Sequence, residues 1–321
     1  MRTRKRTANG AAMPDRAREL RVELARKVAL FIGSEENRAT DIPELTLYRR
    51  TAPTAPASVT YEPSIALVVQ GRKRVELGRT TFFYDESQFL LTSVDLPVVS
   101  QVVEASERSP YLCLRLKLEI PMVRELLSRE EIQVTAAPAD NPAMTTAETT
   151  AELLSAFCRL VDLLYTPQDI PFLSSLVQRE IIYRVLRGPE GARLRAIATQ
   201  GDQSQRTAKA IAWVRTNYAK PLRVEDLAEI AGMGVSTLHH HFRTLTAMSP
   251  LQYQKQLRLH AARGRMLVDG LDAASAAFDV GYESASQFNR EYSRFFGQPP
   301  MRDVRTLRSP GAPSLEAGAN R

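Results

Sequence analysis

Residues 224–296 state one pattern twice. Each copy reads short helix, glycine turn, longer helix with an aromatic residue inside. In the first copy, helix 224–231 turns Val224, Leu227, Ala228 and Ala231 inward. Gly232 and Gly234 make the turn, and helix 235–246 buries Leu238, Phe242 and Leu245. In the second copy, helix 272–280 meets its turn at Gly281. Helix 284–296 then buries Phe288, Tyr292 and Phe295 before Gly297 ends it. Small residues such as Ala228 and Ala277 let the two helices of each unit cross closely. Pro250 opens a long helix to about residue 268 between the copies. A helix over 204–218, with Ala208, Ile211, Ala212, Val214 and Tyr218, precedes them and stops at Pro221. One such pattern is a common αα-hairpin. Two in tandem predict an all-α domain built from two helix-turn-helix units.

Charge sharpens that reading. The net charge is +7, but residues 1–27 carry +6, residues 28–200 carry −4 and residues 201–321 carry +5. A basic C-terminal third suggests nucleic acid. A helix of about 18 residues spans roughly 27 Å, near the roughly 34 Å between successive major-groove faces of B-DNA. One chain can therefore offer two reading helices to adjacent groove segments. At 321 residues the chain has room for about two domains. Hydrophobic residues at 44% exclude disorder, and no apolar run approaches the length of a membrane span. Two cysteines, Cys113 and Cys158, exclude a disulfide framework and point to a reducing, cytoplasmic home.

The remaining two thirds divide by pattern. Residues 1–14 are expected to be a disordered basic tail, in which Met13 is an alternative start; no apolar segment follows it to make a signal peptide. Residues 15–32 predict an amphipathic helix with Leu20, Leu24, Val28 and Ile32 in register. From Leu45 to Glu119, short Val-, Ile-, Phe- and Tyr-rich runs broken by Pro and Gly predict a β-barrel or sandwich. Helices are expected at about 121–129, 147–165 and 171–187. The boundaries drawn are a sensor and dimerisation domain over 15–187, a linker over 188–203 rich in glycine, a DNA-binding domain over 204–306, and a disordered tail over 307–321.

The segment GYESASQFNREYSRFFGQPP (281–300) resembles the signature of the AraC/XylS family of bacterial transcription regulators. VEDLAEIAGMGVSTLHHHFRTLTAMSPLQYQKQLRL (224–259) resembles that family's first helix-turn-helix and linker helix. PTAPASVTYEPSIALVVQGRKRVELG and LLTSVDLPVVSQVVEAS resemble the cupin-like sensor domain of one subgroup. The resemblance implies an α+β protein of two domains: an N-terminal cupin-like β-barrel with flanking helices, and the C-terminal double helix-turn-helix. It implies a DNA-binding regulator, more often an activator, tuned by a small effector in the barrel. Two departures stand out. Arg265 replaces a usual aliphatic residue, and Asp303 and Val304 replace the usual Tyr-Arg pair.

The resemblance places base readers at Ser236, His239 and His240, on the face opposite Leu238, Phe242 and Leu245. Arg243 is expected on phosphate and His241 in packing. On the second reading helix the exposed set is Ser286, Asn289 and Arg290, with Ser293 beside them. Arg290 suits guanine, Asn289 adenine, and Glu283 near the turn can accept from cytosine. Lys255, Arg258, Arg263 and Arg294 are phosphate candidates. The three successive histidines do not make a metal site, because neighbours on a helix point about 100° apart.

All four histidines, His239, His240, His241 and His260, lie in the C-terminal third. The barrel therefore lacks the histidines that metal-dependent cupins and Ser-His or Cys-His catalysts use. This opposes the rival reading, a cupin-type enzyme fused to a DNA-binding tail, and no metal or cofactor is expected. A third reading is a ligand-free dimeric DNA-binding protein. On strand YLCLRLKLE, Cys113 shares a face with Tyr111, Arg115 and Lys117. Nearby cations favour a thiolate there, so Cys113 is a candidate sensor against the alternative of a small core residue. The expected partners are double-stranded DNA, RNA polymerase, an unidentified small effector and a second copy of the chain. No membrane is involved, and the expected place is the cytoplasm, on the nucleoid.

Overall fold

The computed structural model describes residues 12–78, 80–128, 142–199 and 203–308. The tails expected over 1–14 and 307–321 fall almost wholly outside these residues. Helix α1 (Ala12–Ile32) leads into strands β1 (Asn37–Ala39), β2 (Leu45–Arg50), β3 (Ala57–Tyr61), β4 (Ser64–Gln70), β5 (Arg72–Leu77), β6 (Thr80–Asp85), β7 (Gln88–Thr92), β8 (Leu96–Glu104) and β9 (Tyr111–Lys117). Helix α2 (Ile120–Leu127), strand β10 (Met144–Glu148) and helices α3 (Ala151–Asp162) and α4 (Ile170–Arg187) complete the N-terminal domain.

These strands form two antiparallel sheets, ordered β1-β2-β9-β4-β7-β10 and β3-β8-β5-β6. The expected barrel is thus a two-sheet layer, not one closed sheet. The physical reason is the path of the chain. It passes between the sheets at short corners such as Gly71, and among the described residues the outermost strands of each sheet bond on one side only. Gly71 sits at φ 83°, and a Cβ there would meet the Glu104 carbonyl at 2.5 Å, so only glycine fits this corner. Both faces of β9 are covered. Leu112, Leu114 and Leu116 are buried, and so are Tyr111 and Cys113 on the other side. Leu24, Val28 and Ile32 of α1 are buried in the same core, and α1 packs against α3, β2 and β4.

Two local expectations fail. A helix was expected from 147, but Met144–Glu148 pairs with β7, where Thr145 and Thr146 suit a strand. Thr150 then caps α3 by accepting from Leu153 N at 3.2 Å. The segment expected to be a linker holds helix α5 (Gly191–Ala198), with Leu194 and Ile197 buried. Gly191 marks close approach here, because a Cβ would lie 1.9 Å from the Leu186 carbonyl oxygen.

The C-terminal part comprises α6 (Gln203–Thr216), α7 (Val224–Ala231), α8 (Val235–Thr246), α9 (Pro250–Gly264), α10 (Ala273–Asp279), α11 (Ala285–Phe296) and α12 (Pro300–Arg308). The long helix expected to reach 268 leaves α geometry after Gly264 and continues as a π turn, Arg265–Asp269. Arg265, the departure from the aliphatic pattern, is exposed on that turn. It pairs with Asp279 at 3.3 Å and Asp269 at 3.8 Å.

The two units repeat at a spacing of fifty residues from α8 to α11. Leu238 matches Phe288, Phe242 matches Tyr292, and Pro250 matches Pro300. Ala247 and Gly297 both end their helices in the left-handed region, at φ 58° and 78°. The packing is asymmetric. Leu238, Phe242, Leu245, Met248, Tyr253 and Leu257 join the core of the N-terminal domain. The second unit has its own core of Leu259, Ala262, Met266, Ala276, Ala277, Val280, Tyr282, Phe288, Tyr292 and Val304. Among the described residues no helix is long and apolar enough to cross a membrane.

Candidate nucleic-acid interface

Helix α8 turns Leu238, Phe242 and Leu245 into the core, which leaves Ser236, His240 and Arg243 exposed and His239 half-buried. His239, His240, Arg243 and Thr244 line one shallow basin. His241 is half-buried, and its ring stands edge-on to His240 at 5.2 Å. On α11 the same logic buries Phe288 and Tyr292 and exposes Ser286, Asn289, Arg290 and Arg294. Ser284 caps this helix by accepting from Gln287 N at 3.3 Å. Glu283 is exposed just before the cap. Each of these two helices therefore presents a polar, hydrogen-bonding face on a rigid element.

Two phosphate candidates do other work. Arg258 is turned inward, donating from Nε to the Tyr218 carbonyl at 2.7 Å and from Nη2 to Ala219 and Lys220 at 3.3 and 3.0 Å. Gln254 donates to the Tyr218 and Lys220 carbonyls at 3.0 and 2.7 Å. Together they satisfy the carbonyls that follow α6. Burial lowers the Arg258 pKa from its usual value. Arg263 is buried outright and paired with Asp303. Both charges sit forty residues apart in sequence and look like surface groups there.

Lys255 remains exposed and lies 3.5 Å from Glu291. Glu291 also accepts from Tyr282 Oη at 2.9 Å. Burial, aided by that carboxylate, pushes the Tyr282 pKa up. Lys255 and Arg294 line a cleft of about 350 Å³ with Met248, Leu259, Phe295 and Gly78. Sequence reasoning passed over Thr237 and Gln287, which are exposed in the first turns of α8 and α11. Their place in the first turn is the signal that would single them out, because helices that enter a major groove use their N-terminal residues.

In the N-terminal domain Cys113 is buried on β9, opposite Tyr48 and Val68, with its thiol donating to the Leu114 carbonyl at 3.5 Å. Cys158 is buried on α3, and burial pushes its thiol up to about 11. Among the described residues no group of three or more His, Cys, Asp or Glu side chains is placed to hold a metal ion.

The two parts of the chain dock directly. Tyr253 Oη donates to the Asp95 carbonyl at 2.8 Å. Arg215 Nη1 donates to Asp95 Oδ1 at 2.8 Å and lies 3.4 Å from Glu62. Ala143 N donates to the Leu245 carbonyl at 3.2 Å. Gly78 packs so tightly that a Cβ would lie 2.9 Å from the Ala247 Cβ.

Comparison with known proteins agrees with this architecture. The profile of the AraC-type transcriptional regulator N-terminus matches residues 41–193, and a helix-turn-helix domain profile matches 227–305. The HTH-type transcriptional activator RhaS of Yersinia pestis (strain Pestoides F) is 29% identical over 105 residues. That stretch is 33% of this chain and 38% of the relative. RhaS of Yersinia pseudotuberculosis serotype O:1b (strain IP 31758) matches with the same figures. The match thus spans about 38% of the length of these curated relatives. Among solved structures, an apo single-substitution variant of ToxT from Vibrio cholerae strain SCE256 superposes with a TM-score of 0.56 at 11% identity. It covers 84% of this chain and 100% of ToxT. Wild-type ToxT with a bound unsaturated fatty acid gives 0.52 at 12% identity, over 81% of this chain and 94% of that one. At these identities the ToxT likeness speaks for the fold. With an AraC-type N-terminal profile ahead of a tandem helix-turn-helix, the chain belongs to the AraC/XylS family of transcriptional regulators.

Proposed function

We propose that this protein is a sequence-specific, DNA-binding transcription regulator that reads two successive major-groove segments with α8 and α11. The observation that carries this is the fifty-residue repeat, in which Ser236, His239 and His240 of one helix correspond to Ser286, Asn289 and Arg290 of the other. These residues and Glu283 read bases. Arg243, Lys255 and Arg294 hold phosphates. Arg258 contributes by shaping the domain, because its guanidinium is committed to carbonyl oxygens.

The working division of the chain is a sensor and dimerisation part over 15–187 and a reading part over 204–306. The activator role follows the RhaS relatives, and RNA polymerase is its partner on the promoter. A small effector acts on the N-terminal domain, as the fatty acid bound to ToxT suggests by analogy. Cys113 is a candidate sensor within it. Effector control needs different affinities for two arrangements of the domains, and the docked contacts through Asp95 are where such arrangements would differ. A homodimer is supported by an exposed stripe on α4. Phe172, Leu176 and Tyr183 are 73%, 50% and 36% exposed. The site of action is the cytoplasm, on the nucleoid.

The test is binding of the purified full chain to its own upstream DNA and to a scrambled duplex across a salt series. Protection of two adjacent groove segments, with strong preference near physiological salt, supports the reading. Equal, steeply salt-sensitive binding to both duplexes, with and without candidate effectors, overturns it.

A further inference from the structure

The repeat brings Tyr253 and Asp303 to equivalent positions, each three residues past the proline that opens the helix after a reading helix. They act in opposite directions. Tyr253 reaches outward to the N-terminal domain. Asp303 is buried and turns inward. Its carboxylate accepts from Arg263 Nε and Nη2, both at 2.8 Å, and from Tyr292 Oη at 2.7 Å. The Arg263 guanidinium also lies 4.3 Å above the Phe296 ring. One carboxylate thus ties the end of α9, the middle of α11 and the first turn of α12.

A buried ion pair contributes little net stability, because desolvation offsets its attraction. Its forked geometry is directional, however, and apolar packing is not. The apolar contacts of Phe288 with Tyr282 and Tyr292 set no single direction for α11, whereas three bonds converging on two oxygens do. The first unit needs no such device, because Phe242 and Tyr253 pack in the shared core and the N-terminal domain buttresses them.

We propose that Asp303 is the positioning residue of the second reading helix: it fixes α11 relative to α9 and so sets the half-site spacing the protein accepts. This rests on the DNA-binding reading above. It accounts for the departure at Asp303 and for Arg263 together, since each supplies the partner that the other needs in a dry site.

The experiment uses the full chain and its own upstream DNA, with one base pair inserted or deleted between the two protected segments. Three proteins are compared: the native chain, Tyr292→Phe, and the double variant Arg263→Met with Asp303→Leu. The double variant replaces the pair with apolar groups of similar size, which commonly preserves folding, and leaves the Tyr292 hydroxyl without its acceptor, a loss that Tyr292→Phe controls for. The native chain is expected to lose roughly tenfold or more in affinity on either altered spacing. The double variant, with an unfolding midpoint near the native one, is expected to bind all three spacings within about threefold, because each tenfold is about 1.4 kcal/mol of geometric discrimination. Tyr292→Phe, which keeps the fork, is expected to fall between them. A native chain with no preference for its own DNA would overturn the DNA-binding reading itself. Native binding with a spacing preference, retained undiminished in either folded variant, would overturn the positioning role alone. A purely structural role would change the midpoint and leave the spacing preference intact.

Discussion

Tyr253 on α9 donates its phenolic O–H to the backbone carbonyl of Asp95, 158 residues away, at 2.8 Å. The same residue's carboxylate takes the Arg215 guanidinium at 2.8 Å. The turn between β7 and β8 thus holds α6 and α9 at once. Burial, and secondarily the Asp95 carboxylate, pushes the Tyr253 pKa well up, so the donor stays protonated. Removing the hydroxyl in Tyr253→Phe leaves a buried carbonyl short of a partner and is expected to cost about 1–3 kcal/mol. Chemical denaturation followed separately by fluorescence and by protection of the first half-site will show whether docking is lost before folding. Unchanged midpoints by both probes would mean that the bond carries no load.

Asp95 and Arg215 should respond unequally to substitution. Burial raises the Asp95 pKa despite the arginine beside it, so its charge is a cost that Arg215 offsets. Arg215→Met strands that carboxylate and is expected to destabilise by about 1–2 kcal/mol, discounted because the guanidinium is partly exposed. Asp95→Asn keeps a polar group without the charge and should cost less at pH 7. Equal losses in urea melts would contradict this ordering.

His260 sets a pH dependence of its own. Its Nε2 is sealed from solvent with no hydrogen-bond partner among the described residues, and its ring stands edge-on to Phe295 and Phe296 at 5.4 and 5.7 Å. Burial first, then Arg263, lowers its pKa to about 3 from 6.5. The unfolded chain therefore binds a proton that the folded chain refuses. Stability from this group is full above the unfolded value and is lost as pH falls from about 6.5 towards about 3. Asp95 has the opposite sign, because its raised pKa makes acid favour the folded form. The difference between the native chain and His260→Phe isolates the histidine. Its slope is expected to approach about 1.4 kcal/mol per pH unit within that window. Parallel stability curves for the two proteins would mean that His260 titrates normally.

The tandem units were legible because their signals are local. Gly232 and Gly281 sit at φ 63° and 92°, and apolar residues recur at helical spacing between them and the next glycine or proline. The exposure of Ser236, His240, Asn289 and Arg290 follows from that periodicity alone. What stayed illegible depends on distant partners. The division into two sheets is decided by strand pairs such as β2 with β9, which sequence spacing does not encode. Arg258 and Arg263 have the composition of a surface helix, and nothing local says that one caps carbonyls and the other meets Asp303. Gly191 looked like linker flexibility, but the need there was close approach to Leu186.

The proposed reading residues give the most discriminating prediction. His240→Ala and Arg290→Ala sit at matching positions of the repeat, so each should weaken one half-site and spare the other. The expected loss is about 1–3 kcal/mol per base contact, with specificity relaxed at that position. Arg243→Ala should weaken native and scrambled duplexes alike and reduce the salt slope by about 1, as a phosphate contact does. Arg258→Ala should behave differently from all three. It removes three hydrogen bonds to the carbonyls of 218–220, so the unfolding midpoint should fall while the salt slope stays near the native value. Footprints and salt titrations on the same four variants, with a melt for each, separate base reading, phosphate contact and scaffold. If His240→Ala and Arg290→Ala weaken both half-sites equally, the assignment of one reading helix to each groove segment fails. The domain would then have to engage DNA through a different face.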